Sequence, residues 1–148
     1  MFSNIVVGVD GSDTSKRALR MACDLADKYG AELHLVHTPQ PQTVAFAMGA
    51  VAGYGAAVTM PSNQEVQEAA DKVVADCVAV AKDCGHTIKN IHCERGHPVD
   101  EVIACAEACR AELIVTGRRG LGSLGALVQG STSQGINHHA KCACLSVV

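Results

Sequence analysis

The chain has 148 residues, 48% of them hydrophobic and 18% charged. That balance suits one globular domain over residues 1–148 and argues against disorder. Twelve basic against fifteen acidic side chains leave a net charge of −3, which gives no electrostatic footprint for nucleic acid or an anionic membrane. Aromatic residues make up 3%, without tryptophan, too few for a platform that stacks single-stranded bases.

In chain order, Asn4 to Asp10 (NIVVGVD) is a β-branched run that ends in Asp-Gly-Ser, a buried strand reaching a turn. Ser12 suits the cap of the following helix. Ala18, Ala22, Leu25, Ala26 and Tyr29 recur at helical spacing, and Gly30 stops that helix. Glu32 to Thr38 alternates and then meets Pro39, the pattern of a second strand. Glu65 to about Cys84 is an amphipathic helix with Val66, Ala70, Val73, Cys77, Val80 and Cys84 on its stripe, ended by Gly85. Thr87 to Glu94 is a weaker strand, Pro98 opens a helix faced by Val102, Ile103, Ala106 and Cys109, and Glu112 to Gly117 is another β-branched strand. A glycine-rich stretch leads to a helix from about Ser131 to His139, and Leu145 to Val148 is a short apolar strand. Strands alternating with helices imply right-handed crossovers and a parallel α/β sheet covered on both faces.

One segment breaks the pattern. Leu33 through Gln64 contains no Asp, Glu, Lys or Arg, and Val44 to Met60 is apolar or small throughout. Its Ala and Gly content and its lack of flanking basic residues argue against a membrane span, so no stable membrane insertion is expected. A mobile loop, with or without a helical turn, is the expectation, and a lid or partner surface is the functional reading.

The chemistry concentrates in Thr116 to Ser133, TGRRGLGSLGALVQGSTS, between a strand and a helix. Ligands of open α/β sheets bind beyond the carboxyl ends of the strands. Glycines let the backbone approach a phosphate, and a helix start attracts anions. Ser131, Thr132 and Gln134 suit that helix start, although Ser131 with Gln134 also satisfies a capping box, which needs no ligand. Arg118 and Arg119 could reach phosphate oxygens. Gly120 to Gly125 matches GxGxxG literally, but it follows a late strand and no Asp or Glu occurs after Glu112, so the match is accidental as a dinucleotide fingerprint. The chain has no Walker A loop, and Ser123 fails the GxSxG spacing.

Gly117, two residues, Gly120, nine residues, then Gly130-Ser131 resembles the nucleotide-binding signature of universal stress proteins. IVVGVDGS, LHLVHT, Gly96-His97-Pro98 and GSTSQGINHHAKCACLSVV extend the resemblance over nearly the whole chain. It implies a Rossmann-like single domain with an open five-stranded parallel sheet of order 3-2-1-4-5. It further implies ATP, with Mg²⁺, as the ligand; AMP or cyclic AMP would make similar adenine contacts. By position, Asp10 would lie near ribose and adenine, and Thr38 would contact adenine through its backbone, although an aliphatic residue is common there. Thr116 and Gly117 would line the nucleoside, while Gly120, Gly130, Ser131, Thr132 and Ser133 would hold the phosphates. The family usually pairs through its final strand, here Leu145 to Val148, and a bare apolar edge favours such pairing on physical grounds. The expectation is a dimeric, nucleotide-dependent regulator of the stress response, reading its state out to a protein partner. The alternatives are a slow ATPase or adenylate-transferring enzyme, for which no general base is visible beyond Asp10, and a nucleotide-free dimeric module.

Eight cysteines stand out in this composition. The opening MFSNIVVGVDGS has no basic start and no long apolar run, so a cytoplasmic setting with reduced thiols is expected. Cys23, Cys77, Cys84 and Cys109 read as small core residues, while Cys142 and Cys144 adjoin the pairing strand. His138-His139 near Cys142 and Cys144 lack the paired spacing of a structural metal site.

Overall fold

The computed structural model describes residues 1–52, 59–119 and 131–148. Within them the elements are β1 (Asn4–Val9), α1 (Asp13–Tyr29), β2 (Glu32–His37), α2 (Pro41–Ala52), α3 (Asn63–Asp83), β3 (Ile88–Cys93), α4 (Pro98–Ala108), β4 (Leu113–Gly117), α5 (Ser131–His139) and β5 (Ala143–Val147). The strands form one parallel sheet in the order β3-β2-β1-β4-β5. Five strands in that order, with helices on both faces, agree with the expectation.

The two faces follow from strand alternation. Ile5, Val7, Val9, Leu33, Leu35, Leu113 and Val115 pack against Ala18, Leu19, Ala22, Cys23 and Ala26 of α1 and Cys77 and Ala81 of α3. Val6, Val36 and Ile114 point the other way, onto Val99, Val102 and Ala106 of α4 and Ile136 of α5. Each fully buried Val, Leu or Ile contributes about 1.5–3 kcal/mol of transfer free energy. The local signals also act as expected. Ser12 caps α1 by accepting from the Ser15 N–H, and Gly30 ends it at φ 67°. Ser62 and Glu65 form a capping box on α3.

The uncharged segment differs from expectation. Pro41–Ala52 is a twelve-residue helix, far longer than a single turn. Pro41 takes the first helical position, where its missing N–H costs nothing, and the Gln40 carbonyl accepts from the Thr43 and Val44 N–H groups. Alanine favours the helix, but a helix apolar on every side carries no period to detect. Among the described residues no helix is long and apolar enough to cross a membrane.

The cysteines divide differently too. Cys23 and Cys77 are buried, and burial pushes the Cys77 thiol up to about 11. Cys84 and Cys109 are only half-buried, because each follows the last residue of its helix, where the apolar stripe runs out. Cys142 and Cys144 are half-buried against the α4–α5 side.

A groove of about 690 Å³ runs between β3 and α4 and includes Asn4, His34, Asn90 and Cys105 in its lining. His34 Nε2–H donates to Asn4 Oδ1 (3.1 Å), and its Nδ1 accepts from Asn90 Nδ2 (3.2 Å), so the neutral ring is satisfied on both sides. His34 is 3% exposed, and desolvation holds its pKa below the ordinary 6.5, with Lys89 acting in the same direction and Glu32 opposing. The unfolded chain therefore takes up this proton first as pH falls, so His34's contribution is full above about 6.5 and is lost on acidification through the folded-state value. Urea titrations from pH 7.5 to 5 should show declining stability, with a shallower decline in His34→Asn; parallel pH profiles would contradict this assignment.

Candidate functional site

The chain winds outward from β1 to β2 and β3 in one direction, then returns to β4 and β5 on the other side of β1. The carboxyl ends of β1 and β4 therefore part at a switch point, where open α/β sheets form a ligand crevice. Gly8 pairs with Thr116 across this boundary, and Val9 pairs with His37 on the other side.

Asp10 leaves β1 into a tightly bonded turn. Its Oδ1 accepts from the Ser12 N–H at 2.9 Å, and its own N–H donates to Ser15 Oγ at 3.4 Å. Ser12 Oγ accepts from the Ser15 N–H at 3.1 Å, and Ser15 Oγ–H donates to the Ser12 carbonyl at 2.9 Å. Gly11 sits at φ 86°, and a Cβ there would lie 2.9 Å from Val73 Cγ2 of α3, so both conformation and space demand glycine. These contacts fix the half-buried Asp10 carboxylate just beyond the carboxyl end of β1.

On the opposite wall, Thr116 is 7% exposed and Gly117 ends β4. A Cβ on Gly117 would lie 3.1 Å from both the Ser15 N and Thr14 Cγ2, so β4 meets the first turn of α1 through bare backbone. The Arg118 N–H donates to the Val147 carbonyl at 2.7 Å, and Ser133 Oγ donates to the Arg118 carbonyl at 3.3 Å. The second bond ties the first turn of α5 to the chain leaving β4. Ser131 is exposed, Thr132 half-buried and Ser133 buried. Arg118 is exposed and Arg119 half-buried.

Thr38 follows β2, next to the Val9–His37 pair. It is 8% exposed, its Oγ1 is buried without a hydrogen-bond partner among the described residues, and its carbonyl accepts from Gln40 Nε2 at 3.4 Å. That same amide donates to the Gly96 carbonyl at 3.2 Å, joining the end of β2 to the turn before α4. His37 Nδ1–H donates to the Val9 carbonyl at 2.9 Å behind the crevice. Neither His37 nor Gln40 was singled out by sequence, since their partners lie 28 and 56 residues away.

The fold thus gathers Asp10, Thr38, Thr116, Gly117, Arg118, Arg119, Ser131, Thr132 and Ser133 at one edge of the sheet, while Gly120 and Gly130 lie outside the described residues. A carboxylate acceptor after β1 and a hydroxyl-bearing helix start after β4 lie at the same edge of the sheet, a set of groups that fits a polyhydroxyl ring joined to an anion. Phe2 and Tyr29 pack edge to face at 5.1 Å near the start of β2, at the other end of the strands. No cluster of three or more His, Cys, Asp or Glu suited to a metal ion occurs among the described residues.

The fold is that of a doubly wound α/β protein with its topological switch point between β1 and β4, the place where a ligand site is sought. Residues 1–147 match the model of the universal stress protein family. The chain belongs to that family. It is 34% identical to a universal stress protein of Thermus aquaticus, over 99% of each chain. Among solved structures it resembles a universal stress protein in complex with cAMP (TM-score 0.72, 25% identity, 99% of this chain and 97% of the other). It also resembles one from Archaeoglobus fulgidus in complex with dAMP (TM-score 0.70, 22% identity, 99% and 98%), a likeness of fold.

Proposed function

We propose that this protein is a cytoplasmic, ATP-binding regulator of the stress response that acts as a dimer. The convergence of the Asp10 turn, Gly117 and the start of α5 on one crevice carries this reading. The spacing Gly117, Gly120, Gly130-Ser131 supports a triphosphate, with Mg²⁺ neutralising part of its charge when bound. Asp10 holds the ribose side, Thr38 and Thr116 flank the adenine, and Ser131, Thr132 and Ser133 meet the phosphates, with an arginine from Arg118–Arg119 supplying a further donor. Aromatic residues are absent from the described walls, so backbone and aliphatic groups hold the base. The cAMP held by a 25%-identical relative supports an adenine nucleotide as the ligand class. Titration of a fluorescent ATP analogue followed by anisotropy tests the glycine signature. Gly130→Val should lose binding at least tenfold while keeping the wild-type melting temperature. Unchanged affinity would move the phosphates elsewhere.

The dimer reading rests on β5. It is an edge strand with β4 on one side, and Leu145 and Val147 make it apolar. The Ala143 N–H and the Val147 carbonyl point to β4, so alternation turns the backbone groups of Cys144 and Ser146 outward. Ser146→Pro removes one outward N–H and spares the inner ladder. Sedimentation velocity should show wild-type dimers and Ser146→Pro monomers; dimers in both would place the interface on another surface.

A further inference from the structure

β2 ends at His37, and the chain leaves it through Thr38, Pro39 and Gln40 before α2 begins at Pro41. Val9–His37 is the last pair of the β1–β2 register, so Thr38 stands level with Asp10, one residue beyond the strand ends. Thr38 lies outside the strand ladder, and its buried hydroxyl makes no hydrogen bond among the described residues. Pro39 keeps Thr38 extended but has no N–H with which to close a turn.

Gln40 supplies the missing donor. Its Nε2 donates to the Thr38, Pro39 and Gly96 carbonyls, at 3.4, 3.3 and 3.2 Å. Three acceptors around one end of an amide require its nitrogen there, not its oxygen. The Gly96 end of this tie is firm. A Cβ on Gly96 would lie 2.6 Å from Glu101 Oε1 of α4, and Glu101 Oε2 accepts from His92 Nε2–H of β3 at 2.7 Å. The turn before α4 therefore lies against a carboxylate that β3 holds in place.

We propose that Gln40 is a positioning residue for base recognition: by tying the end of β2 to the turn before α4, it fixes the Thr38 carbonyl as an acceptor that selects a 6-amino purine over a 6-oxo purine. This rests on the adenine-nucleotide reading above. A carbonyl oxygen accepts and cannot donate, and it has two lone pairs. At 3.4 Å the bond from Gln40 leaves the second for a ligand donor. The exocyclic amine of adenine provides that donor. The O6 of guanine or hypoxanthine instead sets one acceptor against another and leaves both unpaired. Pro39 adds a further acceptor and no donor to the same stretch. A site whose polar group goes unpaired with the wrong ligand discriminates more strongly than one that merely fits it less well. Such discrimination needs a fixed carbonyl, because a free one turns away from an opposing oxygen at little cost. Gln40 acts on the base only through Thr38.

Calorimetric titration of the full-length protein with ATP and with inosine triphosphate, each with Mg²⁺, tests the assignment. The two ligands share ribose and phosphates, and the second carries a carbonyl in place of the adenine amine. The wild type should bind ATP about tenfold more tightly. In Gln40→Ala, ATP affinity should fall about tenfold while inosine triphosphate stays within about threefold, so the preference collapses. Gln40→Glu keeps the length of the side chain but loses the donor, and it should lose the preference too. A general loss of structure would lower both affinities together, so retained binding of inosine triphosphate reports an intact fold. The proposal is overturned by equal wild-type affinities for the two nucleotides, by a preference that survives in either variant, or by equal loss of both ligands in Gln40→Ala. Wild-type protein that binds neither nucleotide would overturn the adenine-nucleotide reading itself, and this assignment with it.

Discussion

Gly117→Val should lower ATP affinity at least a hundredfold and cost about 2 kcal/mol of stability. The added Cβ meets the Ser15 N at 3.1 Å and the Thr14 carbonyl carbon at 3.2 Å, both backbone atoms at the start of α1. A flexible side chain could swing away, but a capped helix start cannot. Either β4 withdraws from the crevice or the Ser12–Ser15 turn opens, and both walls of the site lie on those elements. The branched γ-carbons add to the crowding. Chemical denaturation and nucleotide titration of the same variant read the two effects separately. Wild-type affinity in Gly117→Val would show that the approach of β4 to α1 has no bearing on the ligand.

Asp10 separates turn from charge. In Asp10→Asn the side-chain oxygen still accepts from the Ser12 N–H, so the turn and the stability should survive. The ligand loses a charged acceptor and keeps a neutral one, which should weaken ATP about tenfold. Asp10→Ala removes the acceptor as well. It should weaken ATP about a hundredfold and destabilise the protein by about 1 kcal/mol. Titration of all three proteins should rank affinity as Asp, then Asn, then Ala. Equal affinity in all three would leave Asp10 as a turn residue alone.

Much of this architecture is legible in the sequence because local and global preferences agree. The β-branched runs of β1 and β4 are buried on both faces of the sheet, and Ser12, Gly30 and Pro98 mark helix ends by simple backbone chemistry. α2 escaped because alanine and glycine make it apolar all round. The half-exposure of Cys84 and Cys109 escaped because a stripe in sequence does not show where the facing sheet ends. The Asp10 turn and the strand end at Gly117 were legible from local sequence, while their ligand roles rest on the resemblance to the family. The bonds His37–Val9 and Gln40–Gly96 join strand ends that only the folded chain brings together.

The expected role needs an adenine nucleotide held at the switch point, beside Asp10, Thr116–Gly117 and the start of α5. Calorimetric titration of the purified protein with ATP in the presence of Mg²⁺ tests this most directly. The expected result is saturable binding of one ATP per chain, abolished by Gly117→Val. Absence of binding heat at several temperatures, or binding that Gly117→Val leaves unchanged, would contradict it.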